Sequence, residues 1–190
     1  DVEYSSSIWD VTSAKEIISL KPKMIKVPSA VNNNIELLEW IFNNYNGEIH
    51  ISLGMTLKTE EDSIIKIANN SKKLNNLILY HCVSGYPVDV EDLYLLEIAS
   101  LNEKYGEKIK GIGFSGHHTG IAADISALTI GAKYIERHFT LDRTWKGTDH
   151  AASLEPDGLR RVVRDIRKVY QALRYKDKDI LEIEEFQREK

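Results

Sequence analysis

The chain has 190 residues, enough for one substantial core or for part of a larger domain. It is 42% hydrophobic and 28% charged with a formal net charge of −4, an ordinary globular balance that argues against a nucleic-acid partner yet leaves room for a small anion in a locally basic pocket. Cys82 is the only cysteine, which excludes an intrachain disulfide, and no apolar run nears the roughly 20 residues that span a bilayer; a cytoplasmic protein with no membrane partner is expected.

The opening DVEYSSSIWD has no methionine and reads as a strand over 2–6. Further strands are expected at 24–27 (MIKV), 49–53 (IHISL), 77–81 (LILYH), 109–115 (IKGIGFS) and 133–139 (KYIERHF). Helical patterns lie between them at 13–20, 33–45, 59–71, 90–105 and 120–131, and a last helix is expected over 156–173. The helix from 33 places Ile35, Leu38, Ile41 and Phe42 on one face. Thr59 reads as an N-cap with acid in the first turn, and Pro156 suits the first turn of the last helix. The end, ALRYKDKDILEIEEFQREK, reads as a charged tail with little to pack.

Strand starts recur roughly every 22 to 33 residues, the period of a strand–helix unit. Strict alternation gives an α/β fold with a parallel sheet covered by helices, either doubly wound or a (β/α)8 TIM barrel. Ser5–Ser7, Lys26 with Ser29, Ser52, His81 with Tyr86, Ser115 with His117, and His138 all fall at or just beyond the C-terminal ends of the expected strands. In a barrel those ends converge on one mouth, so the barrel is the better solution.

GFSGHHTG (113–120) and the segment 135–156 together hold four of the six histidines. His117 and His138 stand one strand–helix repeat apart, which puts them side by side at a barrel mouth, where they either hold a divalent ion or hydrogen-bond neighbouring loops. His118 reads as structural. Lys26 is a Schiff-base candidate or an anion partner, or a solvated strand-end lysine. Ser29, Ser52 and Ser115 would join it as donors to a phosphate or carboxylate. Asp149, in the long loop after the last strand, is a turn aspartate or a carboxylate for sugar hydroxyls or acid–base work. Trp145 is a lid aromatic or loop packing, and Cys82 reads as buried and inert. The residues alone give a metal-assisted, anion-binding barrel enzyme without a reaction.

The blocks Ser-Gly-His-x-Thr-Gly, Gly-Ala-Lys-x-Ile-Glu-Arg-His-Phe-Thr-Leu-Asp and Asp-His-x-Ala-Ser-Leu-Glu-Pro, preceded by IKVPS, ISLGM and LYHCVSGYPV, resemble the sialic acid synthase family over nearly the whole chain. TWKGTDH resembles the branch that uses a phosphorylated sugar. The resemblance implies a (β/α)8 barrel that condenses phosphoenolpyruvate with N-acetylmannosamine or its 6-phosphate, releasing phosphate. It implies His117 and His138 as ligands of Mn²⁺ or Mg²⁺, Lys26, Ser29, Ser52 and Ser115 as phosphoenolpyruvate contacts, and Tyr86 and Asp149 as sugar contacts. Lys26 then clamps an anion and forms no Schiff base.

Three departures stand out. Val31 occupies a position that is usually acidic in the family. The chain matches barrel strands 3–8 only, as a segment 1–175, and 176–190 reads as a linker towards the family's C-terminal antifreeze-like domain. That domain lends an arginine to the partner subunit, so a homodimer is implied for the full-length protein. The segment alone is expected to be inactive. Rival readings are a related nonulosonate synthase (legionaminic or pseudaminic type) and a non-catalytic barrel remnant that binds ligand or oligomerises.

Overall fold

Five parallel strands carry the architecture of the computed structural model, which describes residues 2–190. They are β1 (Met24–Val27), β2 (Glu48–Ser52), β3 (Leu77–Cys82), β4 (Gly111–Gly116) and β5 (Tyr134–Arg137). Their order in the sheet is their order in the chain, and every neighbouring pair is parallel. A doubly wound sheet reverses direction at a switch point; this one never does, which is the winding of a barrel.

The sheet also curls. Lys26 on β1 and Glu136 on β5 belong to its first and last strands, which a flat sheet would hold about 19 Å apart at the usual strand spacing. Yet Lys26 Nζ lies 2.6 Å from Glu136 Oε1. Two side chains cannot bridge a flat sheet of that width, so the strands form an arc, a partial (β/α) barrel with its hollow facing inward.

The connections are α1 (Val11–Ser19), α2 (Ile35–Asn44), α3 (Lys58–Asn70), α4 (Glu97–Tyr105) and α5 (Ala122–Ile130), followed by α6 (Pro156–Ala172) and α7 (Glu182–Arg188). Alternation along each strand separates two environments. Ile25, Val27, Ile49, Ile51, Leu77, Leu79, Ile112 and Phe114 are buried in one apolar core with Leu38, Ile41 and Phe42 of α2. Each such side chain contributes about 1.5–3 kcal/mol by leaving water. The intervening residues, Lys26, His50, Tyr80, Ser115 and Glu136 among them, meet one another in the hollow. Gly113 makes room there: a Cβ on it would lie 2.6 Å from the Tyr80 ring.

Several expectations are corrected. The strand expected at 2–6 is reduced to an isolated bridge, Ser7 to Lys26, with Lys26 N donating to Ser6 O and Ile8 N to Lys26 O. Exposed residues such as Val2 and Tyr4 give that stretch little burial to hold a longer ladder. The helix expected over 90–105 is two pieces, a 3₁₀ turn Val90–Leu93 and α4, because Tyr94 takes a left-handed backbone with φ of 44°. Thr59 lies inside α3, not at its cap: the helix starts at Lys58, and Glu60 Oε2 accepts the Leu57 N–H at 2.8 Å. On α2, Ile35 is exposed and Leu37 takes its expected place in the core. The tail is not wholly irregular, since α7 forms within it, although none of its residues is buried.

One buried charge ties two of the outer helices together. Glu61 of α3 accepts from Lys104 Nζ (2.9 Å) and from the buried Tyr105 hydroxyl (2.8 Å) of α4. Burial alone would raise the Glu61 carboxyl, but the hydrogen bonds from Lys104 and Tyr105 and the nearby lysine charges outweigh it and hold the acid below its ordinary value. A depressed carboxylate stabilises the fold above the unfolded-state value near 4.3, and that contribution fades as pH falls through the lower folded value. Glu61→Ala should therefore cost about 1–3 kcal/mol at pH 7 by removing the carboxylate that accepts from Lys104 and Tyr105 and leaving the Tyr105 hydroxyl only its longer contact with Asp62 Oδ1 (3.3 Å). Urea titrations across pH 7 to 3 should show the gap from wild type narrowing below about pH 4; a gap independent of pH would contradict the assignment.

Candidate functional site

The C-terminal ends of the strands open into a cavity of about 700 Å³. The eight residues expected to contact metal or substrate all border it: Lys26, Ser29, Ser52, Tyr86, Ser115, His117, His138 and Asp149. They come from all five strand ends and the loops that follow. The alternation that points Tyr80 and Cys82 inward turns His81 outward, where it bonds Leu93 O (2.7 Å) and stacks on Phe114. His81 is therefore not part of the mouth, contrary to expectation. Neither is Trp145, which is exposed and packs edge-on against His150. His118 is buried on the outer side and Cys82 is buried at the cavity wall.

Lys26 is not a free cation. Its Nζ donates to both carboxylate oxygens of Glu136, at 2.6 and 2.8 Å, and Ser115 Oγ donates to Oε1 at 2.7 Å. Burial by itself would raise the Glu136 carboxyl, but the Lys26 charge and these hydrogen bonds prevail, and it stays below the usual glutamate value. An ammonium has three N–H groups, so one remains for a ligand. Among the described residues, Ser52 Oγ is buried without a hydrogen-bond partner. Ser29 Oγ accepts the Gly54 N–H at 3.0 Å. Glycine is needed at that point because a Cβ there would lie 2.2 Å from Ser84 Oγ and 2.7 Å from Ser29 Oγ.

The histidines meet as the spacing predicts. The rings of His117 and His138 are 5.1 Å apart, and Tyr86 lies against both, at 4.3 and 5.7 Å. Burial lowers the pKa of each, helped in His138 by its histidine neighbour, so both are neutral near pH 7. His117 Nδ1 is 2.8 Å from Val83 O, and a carbonyl only accepts, so the proton sits on Nδ1 and Nε2 keeps its lone pair. Asp149 Oδ2 is 3.7 Å from His138 Nδ1, and Asp149 Oδ1 accepts from Thr148 Oγ1. Among the described residues, no three His, Cys, Asp or Glu side chains are grouped to enclose a metal ion. What the mouth offers is two neutral imidazoles with open positions beside them, which fits a divalent ion that completes its shell with oxygen atoms.

Three residues were missed in the sequence. Glu136 was legible, since β5 alternates and an inward His138 implies an inward Glu136. Ser84, in the loop after β3, borders the cavity with no periodic signal for it, and Arg137 touches its edge although alternation on β5 turns its side chain to the outer side.

Comparison with known proteins agrees with this geometry. Residues 1–178 match the profile of the NeuB family. Human N-acetylneuraminate-9-phosphate synthase is 37% identical over 182 residues, 95% of this chain and 49% of that protein. N,N'-diacetyllegionaminic acid synthase of Campylobacter jejuni is 33% identical over 174 residues, 91% of this chain and 51% of that protein. Among solved structures, N-acetylneuraminic acid (sialic acid) synthetase from Leptospira borgpetersenii aligns with a TM-score of 0.85 at 30% identity, covering 96% of this chain and 62% of that one. The chain spans about half the length of the curated relatives it matches.

The tautomer is directly measurable. In histidine-labelled protein at pH 7.5, ¹⁵N spectra should show the His117 ring protonated on Nδ1 and unprotonated on Nε2. The reverse tautomer would mean that the Val83 bond is absent.

Proposed function

The chain belongs to the NeuB family, and from that premise we propose that its protein condenses phosphoenolpyruvate with N-acetylmannosamine, or its 6-phosphate, to give N-acetylneuraminate or its 9-phosphate. The observation that carries the reading is the convergence of anion donors, a neutral histidine pair and sugar-type hydrogen-bonding groups on one cavity. Lys26, Ser29, Ser52 and Ser115 line the subsite for the phosphate and carboxylate of phosphoenolpyruvate, Ser115 by turning its one hydroxyl proton from Glu136 to the anion. Glu136 keeps the Lys26 ammonium aimed into the cavity. Tyr86 and Asp149 bind the amino sugar, and the Tyr86 ring packs the sugar's side of the histidines.

His117 and His138 would hold Mn²⁺ or Mg²⁺, which when bound supplies Lewis-acid polarisation of the aldehyde oxygen. The residues around it position the two substrates so that C3 of phosphoenolpyruvate forms the new bond to the aldehyde carbon. Water adds at C2, and phosphate leaves with its bridging oxygen by C–O cleavage. Residues 1–175 are the barrel segment of this synthase and 176–190 its connection to a further domain in a cytoplasmic homodimer. The similarity to the Campylobacter legionaminic acid synthase favours a second reading, in which the same chemistry serves another nonulosonate sugar.

Calorimetric titration with Mn²⁺ tests the histidine pair. His117→Ala and His138→Ala should each abolish measurable affinity, and full retention by either would end the shared-site reading. In the full-length enzyme, Lys26→Ala should raise the KM for phosphoenolpyruvate about tenfold to a hundredfold, from the loss of a charge-assisted contact of roughly 1.5–3 kcal/mol. The KM for the sugar should change far less. An unchanged phosphoenolpyruvate KM would place Lys26 outside the anion subsite, and a panel of aldehyde sugars would separate the two readings.

A further inference from the structure

Behind the mouth, on the outer side of β4 and β5, lies a buried polar cluster that the proposed reaction does not use. Arg137 is at its centre, with a side chain 3% exposed, against Asp124, which is fully buried. Arg137 Nη1 donates to Asp124 Oδ2 (2.6 Å) and to Gly120 O (2.9 Å), and lies 3.2 Å from His118 Nε2. Nη2 donates to His118 O (2.6 Å) and Ala152 O (3.3 Å). One planar guanidinium thus joins four pieces of chain: its own strand, the loop after β4, the first turn of α5, and the 3₁₀ turn His150–Ala152.

Three of those pieces carry or adjoin a residue of the mouth. His138 follows Arg137 directly. His117 precedes His118, whose carbonyl and ring both meet the guanidinium. Asp149 precedes the turn whose Ala152 carbonyl is bonded. The His118 ring is itself fixed. It stacks on Phe114 at 5.8 Å, and a Cβ on Gly116 would lie 2.9 Å from its Cε1, so glycine there lets the ring sit flush against the strand.

We propose that Arg137 is a positioning residue: held by Asp124, its guanidinium fixes the spacing between His117 and His138 and the place of Asp149 beside them. The inference rests on the histidine pair being the metal site of the proposed function. Geometry gives the role to arginine specifically. Its fork spans three backbone carbonyls and a carboxylate at once, whereas a lysine at the same place can keep the charge pair with Asp124 but cannot hold both the loop after β4 and the 3₁₀ turn. Outer residues that orient metal ligands commonly change affinity by ten- to a hundredfold.

The test compares wild type, Arg137→Lys and Asp124→Asn in two measurements. The first is Mn²⁺ affinity by calorimetry. The second, without metal, is the proton–proton contact between the His117 and His138 rings in histidine-labelled protein, with the His50–Tyr80 contact as a reference for intact fold. The expected result is a fall in Mn²⁺ affinity of about tenfold or more in Arg137→Lys, with the inter-histidine contact weakened and the His50–Tyr80 contact kept. Should Arg137→Lys lose the reference contact and so be unfolded, Asp124→Asn, which keeps the shape of the pair and removes its charge, is read in its place with the same expectation. Wild-type affinity and an unchanged inter-histidine contact in the folded variant would overturn the positioning role. A wild type that shows the inter-histidine contact but binds no Mn²⁺ would overturn the metal reading itself, and the ring contact in the variants would then decide the positioning role alone.

Discussion

The ion pair between Lys26 and Glu136 is the contact on which the rest of the site depends. It joins the first strand of the sheet to the last across a hollow, and it can form only because the sheet is curled. Curvature is what turns five separate strand ends into one mouth. In an open sheet the same residues would be strung along an edge, and Lys26 would never meet Ser115 or His138. Lys26 is largely shielded from water while the Glu136 side chain is 37% exposed, so an isolated lysine charge there would be costly, and the pair with its Ser115 hydrogen bond makes the arrangement tolerable. The same pairing prepares the lysine for an anion: two of its protons are committed, and its direction is set.

Burial does the complementary work on the histidines. Desolvation lowers the affinity of both rings for a proton, and the charge of one would further disfavour the charge of the other. The two imidazoles are therefore presented as lone-pair donors at neutral pH. A carbonyl at Val83 selects which nitrogen of His117 faces the cavity. Residues of the anion site and the neutral imidazoles are thus kept two residues apart along the same stretches of chain: Ser115 on β4 with His117 just after it, and Glu136 on β5 with His138 just after it.

Much of this was legible in the sequence because strand alternation and the strand–helix period are robust signals. They located all five strands, the strand-end residues Lys26, Ser52, Ser115, His117 and His138 of the mouth, and the pairing of His117 with His138. The illegible parts have physical reasons. The opening stretch is β-like in composition, but a strand needs neighbours and burial, and this one keeps only the Ser7 bridge. The break at Tyr94 depends on a left-handed backbone that no propensity foretells at a tyrosine. His81 sits at a strand end like its neighbours, and only the phase of alternation, fixed by Tyr80 and Cys82, shows that it faces away. Arg137 and Glu136 are consecutive, one turned to the outer cluster and one to the hollow; composition cannot separate them, whereas the pleat does.

The central claim, that curvature brings β1, β4 and β5 together into one metal- and anion-binding mouth, is tested most directly by diffraction from crystals grown with Mn²⁺ and phosphoenolpyruvate. The account predicts one anomalous peak bonded to a nitrogen of each of His117 and His138, through Nε2 of His117, with the phosphoenolpyruvate anion beside Lys26 and Ser115 in the same cavity. A peak away from the two histidines, or an anion bound outside the Lys26–Glu136 mouth, would contradict it.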